Sequence, residues 1–340
     1  MISILIWILL LSNIVFFATM LINGSPSNLI SIRDRGLLYG DGVFRTLRVS
    51  NGQALHWSLH YQKLQHDCAA IGIRCPDFAQ LSAELEVLLS QNSIGSARTT
   101  RDEDTPSPLV GEGWGEGDSE RSTLSLTLPH QGGGDWLPES LQPKLEINNC
   151  AIKLIVTRGI STRGYAPATQ TTSTHIWDVA PLPDYPAAWS THGIKARLCQ
   201  LRLSQQPRLA GIKHLNRLEN VLAASEWNDT EIAEGLLMDA DGNVIEGVRS
   251  NLFAVLSGTL TTPSLLGCGV AGIQRDRVIS WANTNNVPLE IRTLSWEEVI
   301  NAEELFIVNS LIGVWPIREL EQRHWKQFAM AHRVQLSLNV

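Results

Sequence analysis

Two side chains of this sequence, an amine and a carboxylate, stand in settings that suit covalent catalysis. Lys213 comes just before apolar residues at positions 215, 218, 221 and 222, which is the spacing of one helix face. Glu246 follows the apolar pair Val244-Ile245, which is typical of a strand. A lysine that can form a Schiff base, followed by a strand carboxylate, is what pyridoxal phosphate chemistry requires. We therefore predict Lys213 as nucleophile and base, and Glu246 as the partner of a pyridine nitrogen.

The segments around these side chains resemble those of a known family. The first reads AGIKHLNRLE (residues 210–219) and the second reads NVIEGVRSNLF (residues 243–253). Both resemble the fold-type IV, or class IV aminotransferase-like, enzymes, and among these the aminodeoxychorismate lyases. The resemblance covers about residues 20–92 and 147–340. It implies an α/β fold with mixed sheets, a small N-terminal and a larger C-terminal domain, a homodimer, and pyridoxal 5'-phosphate between the domains.

The reaction implied by the resemblance is the elimination of pyruvate from 4-amino-4-deoxychorismate, which gives 4-aminobenzoate for folate biosynthesis. In this reaction Lys213 removes the proton from the amine-bearing ring carbon and assists pyruvate release. No metal is required. His214 adjoins the lysine, and we expect it to make a structural hydrogen bond. The alternative is an aminotransferase of the same fold that acts on D- or branched-chain amino acids, and a third hypothesis is a membrane-tethered homologue that has lost activity.

The resemblance also implies which residues hold the cofactor. Gly272 precedes a predicted helix whose N–H groups and dipole favour a phosphate, and nearby serine hydroxyls add donors. The predicted cofactor-binding set is Lys213, Glu246, Lys63, Ser250, Asn251, Gly272, Ile273, Gln274 and Ser310.

Lys63 departs from the family pattern. The phosphate arginine of the family lies in a phrase of the form His-x-x-Arg-Leu, and the matching phrase here is HYQKL (residues 60–64). A lysine supplies the charge of an arginine but not its two-pronged hydrogen-bonding edge. We therefore expect a weaker phosphate contact and weaker cofactor retention.

Substrate-binding residues are predicted from three further phrases, which read TRG (157–159), RGY (163–165) and GDGVFRTLR (40–48). The first two resemble a phrase that lies near the active site of aminodeoxychorismate lyases. Arg163 is expected to bind a substrate carboxylate, and Tyr165 to pack on the cofactor or on the lysine. The predicted substrate-binding set is Arg163, Tyr165, Thr46, Arg48 and Asn309.

Composition and charge exclude several other classes of protein. The 340 residues carry a net charge of −7, so there is no basic footprint for nucleic acid. The length is sufficient for two domains with sizeable cores. The five cysteines are scattered without a CxxC pair or a Cys/His cluster, so neither a zinc site nor a disulfide framework is indicated. A reducing cytoplasm is the expected compartment.

Two segments do not fit the family pattern. Residues 1–19 are apolar and uncharged and approach the length of a membrane span, but no Lys or Arg precedes them. We interpret them as an extension upstream of a natural start at Met20, with a membrane anchor as the alternative. Residues 93–145 are rich in Pro, Gly and Ser, and we predict a disordered insert in a surface loop. The predicted domains are then 20–183 and 184–340.

Strands and helices alternate among the elements that must position these residues. The predicted strands are 20–24, 41–49, 151–157, 194–198, 235–239, 244–245, 251–256, 259–262 and 304–308. The predicted helices are 60–71, 77–91, 216–227 and 322–336, and residues 269–273 are predicted to open a further helix that runs to about residue 284. Hairpin turns are predicted at Asn51-Gly52, Asp241-Gly242 and Ser257-Gly258. Residues 178–186, with three prolines, are expected to link the domains.

Overall fold

A computed structural model describes residues 20–91, 148–161, 164–168 and 171–338 of the chain. The extension predicted at 1–19, the insert predicted at 93–145 and the substrate residue Arg163 all lie outside these described residues. Among the described helices, none is both long enough and apolar enough to cross a membrane.

The first part of the chain forms a six-stranded antiparallel sheet. Its strands are β1 (Met20–Ile22), β2 (Ser25–Pro26), β3 (Gly42–Ser50), β4 (Gln53–Ala54), β5 (Asn149–Thr157) and β6 (Thr174–Pro181). Their order across the sheet is β2-β1-β6-β5-β3-β4. Strands β3 and β5 pair over the full length of β3, from Gly42 to Ser50. The predicted turn at Asn51-Gly52 is confirmed, since both residues have positive φ and connect β3 to β4.

Helices cover one face of this sheet. The helices are α1 (Arg35–Tyr39), α2 (Trp57–Ala70) and α3 (Phe78–Gln91). Leu47 of β3, Leu64 of α2 and Leu81 of α3 are all fully buried in one apolar core. Because side chains alternate along a strand, the same face of β3 also receives Arg45, while Phe44 and its alternating neighbours point to the opposite side.

The second part of the chain builds a ten-stranded mixed sheet. Its strands are β7 (Ile194–Leu203), β8 (Ile232–Asp239), β9 (Asn243–Gly247), β10 (Asn251–Leu256), β11 (Thr259–Pro263), β12 (Leu289–Arg292), β13 (Leu294–Ser295), β14 (Glu304–Asn309), β15 (Gly313–Leu320) and β16 (Arg323–His324). The order is β12-β11-β10-β14-β15-β7-β8-β9-β13, with β16 paired to β15. The pairs β7–β8, β7–β15 and β11–β12 are parallel, and the others are antiparallel. The chain is therefore a mixed α/β protein with two sheets, as predicted.

The remaining helices pack on and around the second sheet. They are α4 (Ala188–His192), α5 (Leu218–Ala224), α6 (Ile273–Thr284), α7 (Trp296–Ile300) and α8 (Ala329–Leu338). The larger apolar core lies here, with Phe253 and Phe306 stacked at a centroid distance of 5.2 Å. Val278 of α6 and Val334 of α8 are buried in the same core.

Every predicted strand is present, but three other predictions need correction. The linker predicted at 178–186 is wrong in its first part, because Asp178–Pro181 completes β6 and pairs with β5 up to Cys150. The helix predicted at 216–227 is shorter and spans α5 only. The C-terminal helix predicted at 322–336 begins at Ala329, because the preceding residues pair with β15 and bury Trp325, whose indole N–H donates to the Ala302 carbonyl at 2.8 Å.

Candidate active site

A cavity of about 330 Å³ lies between the two sheets and collects most of the predicted site residues. The predicted residues that line it are Lys213, Glu246, Ser250, Asn251, Gly272, Ile273, Gln274, Ser310, Thr46 and Asn309. They come from both parts of the chain. The structure therefore brings together residues that the sequence places far apart.

The backbone of Lys213 is held against strand β3. The carbonyl of Lys213 accepts the N–H of Phe44 at 2.9 Å, and the N–H of Leu215 donates to the carbonyl of Gly42 at 2.9 Å. The Lys213 N–H donates to the carboxylate of Asp67 at 3.0 Å. The Lys213 ammonium lies 4.4 Å from the centroid of the Phe44 ring. The main chain of Lys213 is thus held by bonds to β3 and α2, and its amine lies beside the Phe44 ring.

The surroundings of Lys213 make its neutral form more accessible than that of an ordinary lysine. Burial and, after it, the positive charges of Arg45 and Arg217 together lower the pKa of Lys213 to about 8, although Glu246 opposes them. Burial penalises the charged form of any amine, and like charges add to that penalty. A lysine in this state supplies the free amine that attack on a carbonyl needs at near-neutral pH.

Glu246 on β9 is held in place by one donor from the loop before α6 and one from the start of β10. Its Oε2 accepts the N–H of Val270 at 2.8 Å and the side-chain N–H of Asn251 at 3.3 Å. Burial raises the pKa of Glu246 to about 7, while the bond from Val270 and the charges of Arg217 and Lys213 lower it. A buried carboxyl with this pKa is suited to sharing a proton with a basic ring nitrogen.

The N-terminus of α6 opens onto the same cavity. Gly272 is its N-cap and has no side chain to satisfy the free N–H groups of the first turn. The N–H of Gly272 donates to Asn251 Oδ1 at 3.1 Å, and a Cβ at position 272 would lie 2.6 Å from that oxygen. Glycine is therefore required for this close approach. An uncapped helix N-terminus is a favourable place for a phosphate.

Two of the polar residues predicted to bind the ligand are already engaged with the protein. The hydroxyl of Ser250 donates to the buried Glu234 at 2.8 Å. The Asn309 side chain donates to the Arg249 carbonyl at 3.1 Å and accepts the N–H groups of Leu311 and Ile312. Both line the cavity, but their side-chain bonds shape its wall.

Three other predicted residues that the structure describes do not line the cavity. Lys63 is absent from the lining, and its ammonium lies 2.8 Å from Asp276, which differs from the predicted phosphate contact. Arg48 donates to the Leu311 carbonyl at 3.1 Å, on the rim. Tyr165 is 86% exposed and packs on Tyr39 at a centroid distance of 5.4 Å, so it does not contact Lys213 as predicted.

Four cations that the sequence prediction missed line the cavity: Arg45 and Lys153 from the first sheet, and Arg217 and Arg249 from the second part of the chain. Lys153 lies on β5 directly opposite Thr46 of β3, with its ammonium 5.6 Å from the Phe44 ring. Arg45 reaches the cavity from the buried face of β3. The signal for Arg45 was present in GDGVFRTLR, because a charged residue there shares the alternation of core-facing Val43 and Leu47.

His214 is confirmed as a structural residue by its contact with Arg217. The imidazole Nε2 lies 2.6 Å from the Arg217 guanidinium, which also donates to the His214 carbonyl at 3.0 Å. Burial and the arginine charge lower the pKa of His214 to about 4. The neutral ring therefore acts as an acceptor that orients Arg217 along the cavity wall.

The cavity offers a matching group for each functional end of pyridoxal phosphate. Lys213 supplies an amine for the aldehyde, Glu246 supplies a carboxyl for the ring nitrogen, and the N-terminus of α6 supplies N–H groups for the phosphate. The Nε of Arg45, which is buried and has no acceptor among the described residues, adds a further donor. The residues present therefore fit this cofactor.

Comparison with known proteins gives consistent matches. Residues 135–320 match the family described as Amino-transferase class IV. The crystal structure of 4-amino-4-deoxychorismate lyase from Pseudomonas aeruginosa is 35% identical, with a TM-score of 0.75, and the match covers 94% of this chain and 98% of that one. Aminodeoxychorismate lyase from Vibrio harveyi is 28% identical over 87% of this chain and 89% of its own length. A branched-chain amino acid aminotransferase from Escherichia coli shares the fold, with 18% identity, a TM-score of 0.68 and coverage of 94% and 93%.

Proposed function

The chain belongs to the class IV amino-transferase family, and from this premise we propose that it is a lyase which eliminates pyruvate from 4-amino-4-deoxychorismate. The second product is 4-aminobenzoate, a precursor for folate biosynthesis. The observation that carries the proposal is the similarity to lyases over nearly the whole chain, with Lys213 and Glu246 facing one cavity. The cofactor is pyridoxal phosphate. When bound, it withdraws electrons from the carbon that carries the substrate amine.

Lys213 moves the proton on which the reaction depends. The amine-bearing ring carbon of the substrate loses a proton to the Lys213 amine, and the C–O bond to the enolpyruvyl group then breaks. The electron pair leaves with the oxygen, and the enolate takes up a proton to become pyruvate. The remaining six-membered ring becomes aromatic. A lysine with a pKa of about 8 both accepts and returns a proton readily at neutral pH.

Glu246 holds the proton at the ring nitrogen. Its own pKa, raised to about 7 by burial, lets the carboxyl and the nitrogen share one proton inside the cavity. Val270 and Asn251 fix the carboxylate by hydrogen bonds, so its orientation does not depend on the ligand. Replacing it by an amide would leave the nitrogen without this partner.

Lys153 and Arg249 give the cavity positive charge for the substrate. 4-Amino-4-deoxychorismate carries two carboxylates, one on the ring and one on the enolpyruvyl group. Lys153 is exposed at the mouth, and Arg249 lines the same cavity. We assign carboxylate binding to Lys153 and Arg249. Arg163, which the sequence predicts to bind a carboxylate, is assigned the same role.

A homodimer completes the proposal. Leu29, Ile32 and Leu37 are 80%, 76% and 60% exposed, and Leu218 on α5 is 68% exposed. The segment that carries Leu29, Ile32 and Leu37 is joined to the segment that carries Leu218, because the Asn216 side chain donates to the Gly40 carbonyl at 3.2 Å. A second copy covering this surface would bury these side chains, and sedimentation velocity tests it: a monomer with full activity would contradict the dimer. We infer a cytoplasmic location from the scattered cysteines of the sequence, which form no CxxC pair.

The activity itself is tested by product formation without an amino acceptor. Purified protein with pyridoxal phosphate is expected to release 4-aminobenzoate and pyruvate from 4-amino-4-deoxychorismate when no 2-oxo acid is present. Lys213→Arg is the matched control, since it keeps the charge but cannot bind the cofactor covalently, and we expect a loss of at least about a hundredfold. A strict requirement for 2-oxoglutarate would instead identify an aminotransferase.

A further inference from the structure

Arg45 is a buried cation that takes no part in the proton transfer or in the substrate binding proposed above. Its side chain is 2% exposed, although β3 lies at the boundary between the two sheets. It pairs with the fully buried Asp67 of α2 and donates from Nη2 to the Lys63 carbonyl at 3.0 Å. The rest of the guanidinium faces the cavity, which Arg45 lines.

The Nε of Arg45 is the second, independent observation. This N–H is buried and meets no acceptor in the part of the chain that the structure describes. A buried donor without a partner destabilises the folded protein, and more so when it is charged. Native proteins keep such a group where a ligand supplies the acceptor. The missing partner must be an anion or a strong acceptor, because the donor belongs to a guanidinium.

Lys63 is engaged elsewhere. Its ammonium forms an ion pair with Asp276 at 2.8 Å, and the pair lies on the outer side of α2 and α6 rather than on the cavity wall. His60 does line the cavity, but burial and the charge of Arg45 lower its pKa to about 3, so it is neutral. Arg45 is a cation of the first sheet that lines the cavity and is influenced electrostatically by Asp276 in the first turn of α6.

We propose that Arg45, and not Lys63, binds the phosphate of pyridoxal phosphate together with the N-terminus of α6. Asp67 acts as the positioning residue, because it holds Nη2 of the guanidinium and leaves Nε without an acceptor among the described residues, in a side chain that lines the cavity. The sequence resemblance placed the phosphate-binding cation on α2, at Lys63. In this chain we assign that role to Arg45 on β3. This inference rests on the proposed function, since it assumes that the cofactor occupies the cavity.

The test compares the buried inner ion pair with the more exposed outer one. Arg45→Met with Asp67→Asn removes the inner pair, and the asparagine keeps an oxygen acceptor for the Lys213 N–H. Lys63→Met with Asp276→Asn removes the outer pair and is the matched control. Each apo-protein is titrated with pyridoxal phosphate and with pyridoxal, which lacks the phosphate, after circular dichroism has verified folding.

The inner-pair variant is expected to bind pyridoxal phosphate about ten- to a hundredfold more weakly, as for loss of a charge-assisted hydrogen bond. Its affinity for pyridoxal should be unchanged, and the control should match the wild type for both ligands. Unchanged affinity of the inner-pair variant, or loss only in the control, would overturn the assignment. Equal weakening for both ligands would overturn it too, by showing an effect through Lys213. A wild type that binds neither ligand would refute the proposed function itself.

Discussion

The carboxylate of Asp67 accepts the main-chain N–H of Lys213 at 3.0 Å, which ties helix α2 of the first sheet to the lysine. The same carboxylate forms an ion pair with Arg45, and Asp67 is completely buried. One acid therefore links the main chain of Lys213 to the guanidinium of Arg45, and both of these residues line the cavity.

Replacing Asp67 by leucine should destabilise the protein strongly. The change leaves the Arg45 guanidinium buried without its carboxylate, and breaking a buried ion pair in this way costs about 3–5 kcal/mol. Asp67→Asn keeps an oxygen for the Lys213 N–H and should cost less. Urea unfolding of both apo-proteins, followed by circular dichroism, gives the free energies. If the leucine variant were as stable as the wild type, the buried pair would have no structural role.

The reactivity of Lys213 should follow its lowered pKa. Because the neutral amine is the nucleophile and forms above the pKa, labelling of Lys213 by acetic anhydride should rise with pH to a midpoint near pH 8. An ordinary lysine would reach its midpoint at about pH 10.4. Mass spectrometry of the digested apo-protein measures the labelling, with the exposed Lys326 as internal reference. A midpoint above pH 10 would show that burial does not favour the free amine.

Much of the cofactor end was predictable because each of its residues lies in a simple local pattern and in a phrase that resembles the family. Lys213 precedes a short apolar helix, Glu246 lies on a regular hairpin strand, and Gly272 begins a helix, so local periodicity locates each of them. All three line the cavity. The strand prediction succeeded for the same reason, since alternation and turn residues are local signals.

The relation between Arg45 and Lys63 was not predictable in this way. The family phrase directed attention to Lys63, but the ion pair with Asp276 depends on the packing of α2 against α6. Arg45 and Asp67 approach each other across a helix–strand interface, which no sequence spacing reveals. Tyr165 is a similar case, because the Tyr39 ring against which it packs comes from a distant segment.

Glu246→Gln should stabilise the apo-protein above neutral pH. Burial raises the folded-state pKa from 4.5 to about 7, so the folded protein binds more protons than the unfolded chain in that interval. Stability is therefore lost as pH rises from 4.5 through 7, by about 3 kcal/mol for a shift of about 2.5 units. Glutamine avoids this loss and still accepts the Val270 N–H. Denaturant unfolding should show a large gain at pH 8 and a small one at pH 5; a gain independent of pH would contradict the cause.

Lys153→Met should weaken substrate binding without affecting the cofactor. The ammonium of Lys153 lies beside the Phe44 ring at the mouth of the cavity, opposite Thr46 in the sheet, and we assign it to a substrate carboxylate. Loss of a charge-assisted hydrogen bond should raise KM about ten- to a hundredfold. Lys195→Met is the control. That lysine does not line the cavity, and its ammonium lies 3.3 Å from the carboxylate of Glu319. Steady-state kinetics and a pyridoxal phosphate titration separate the two effects, since a substrate contact changes KM alone. If the Lys153 variant lost cofactor affinity to the same extent as KM rose, this lysine would belong to the cofactor end of the cavity.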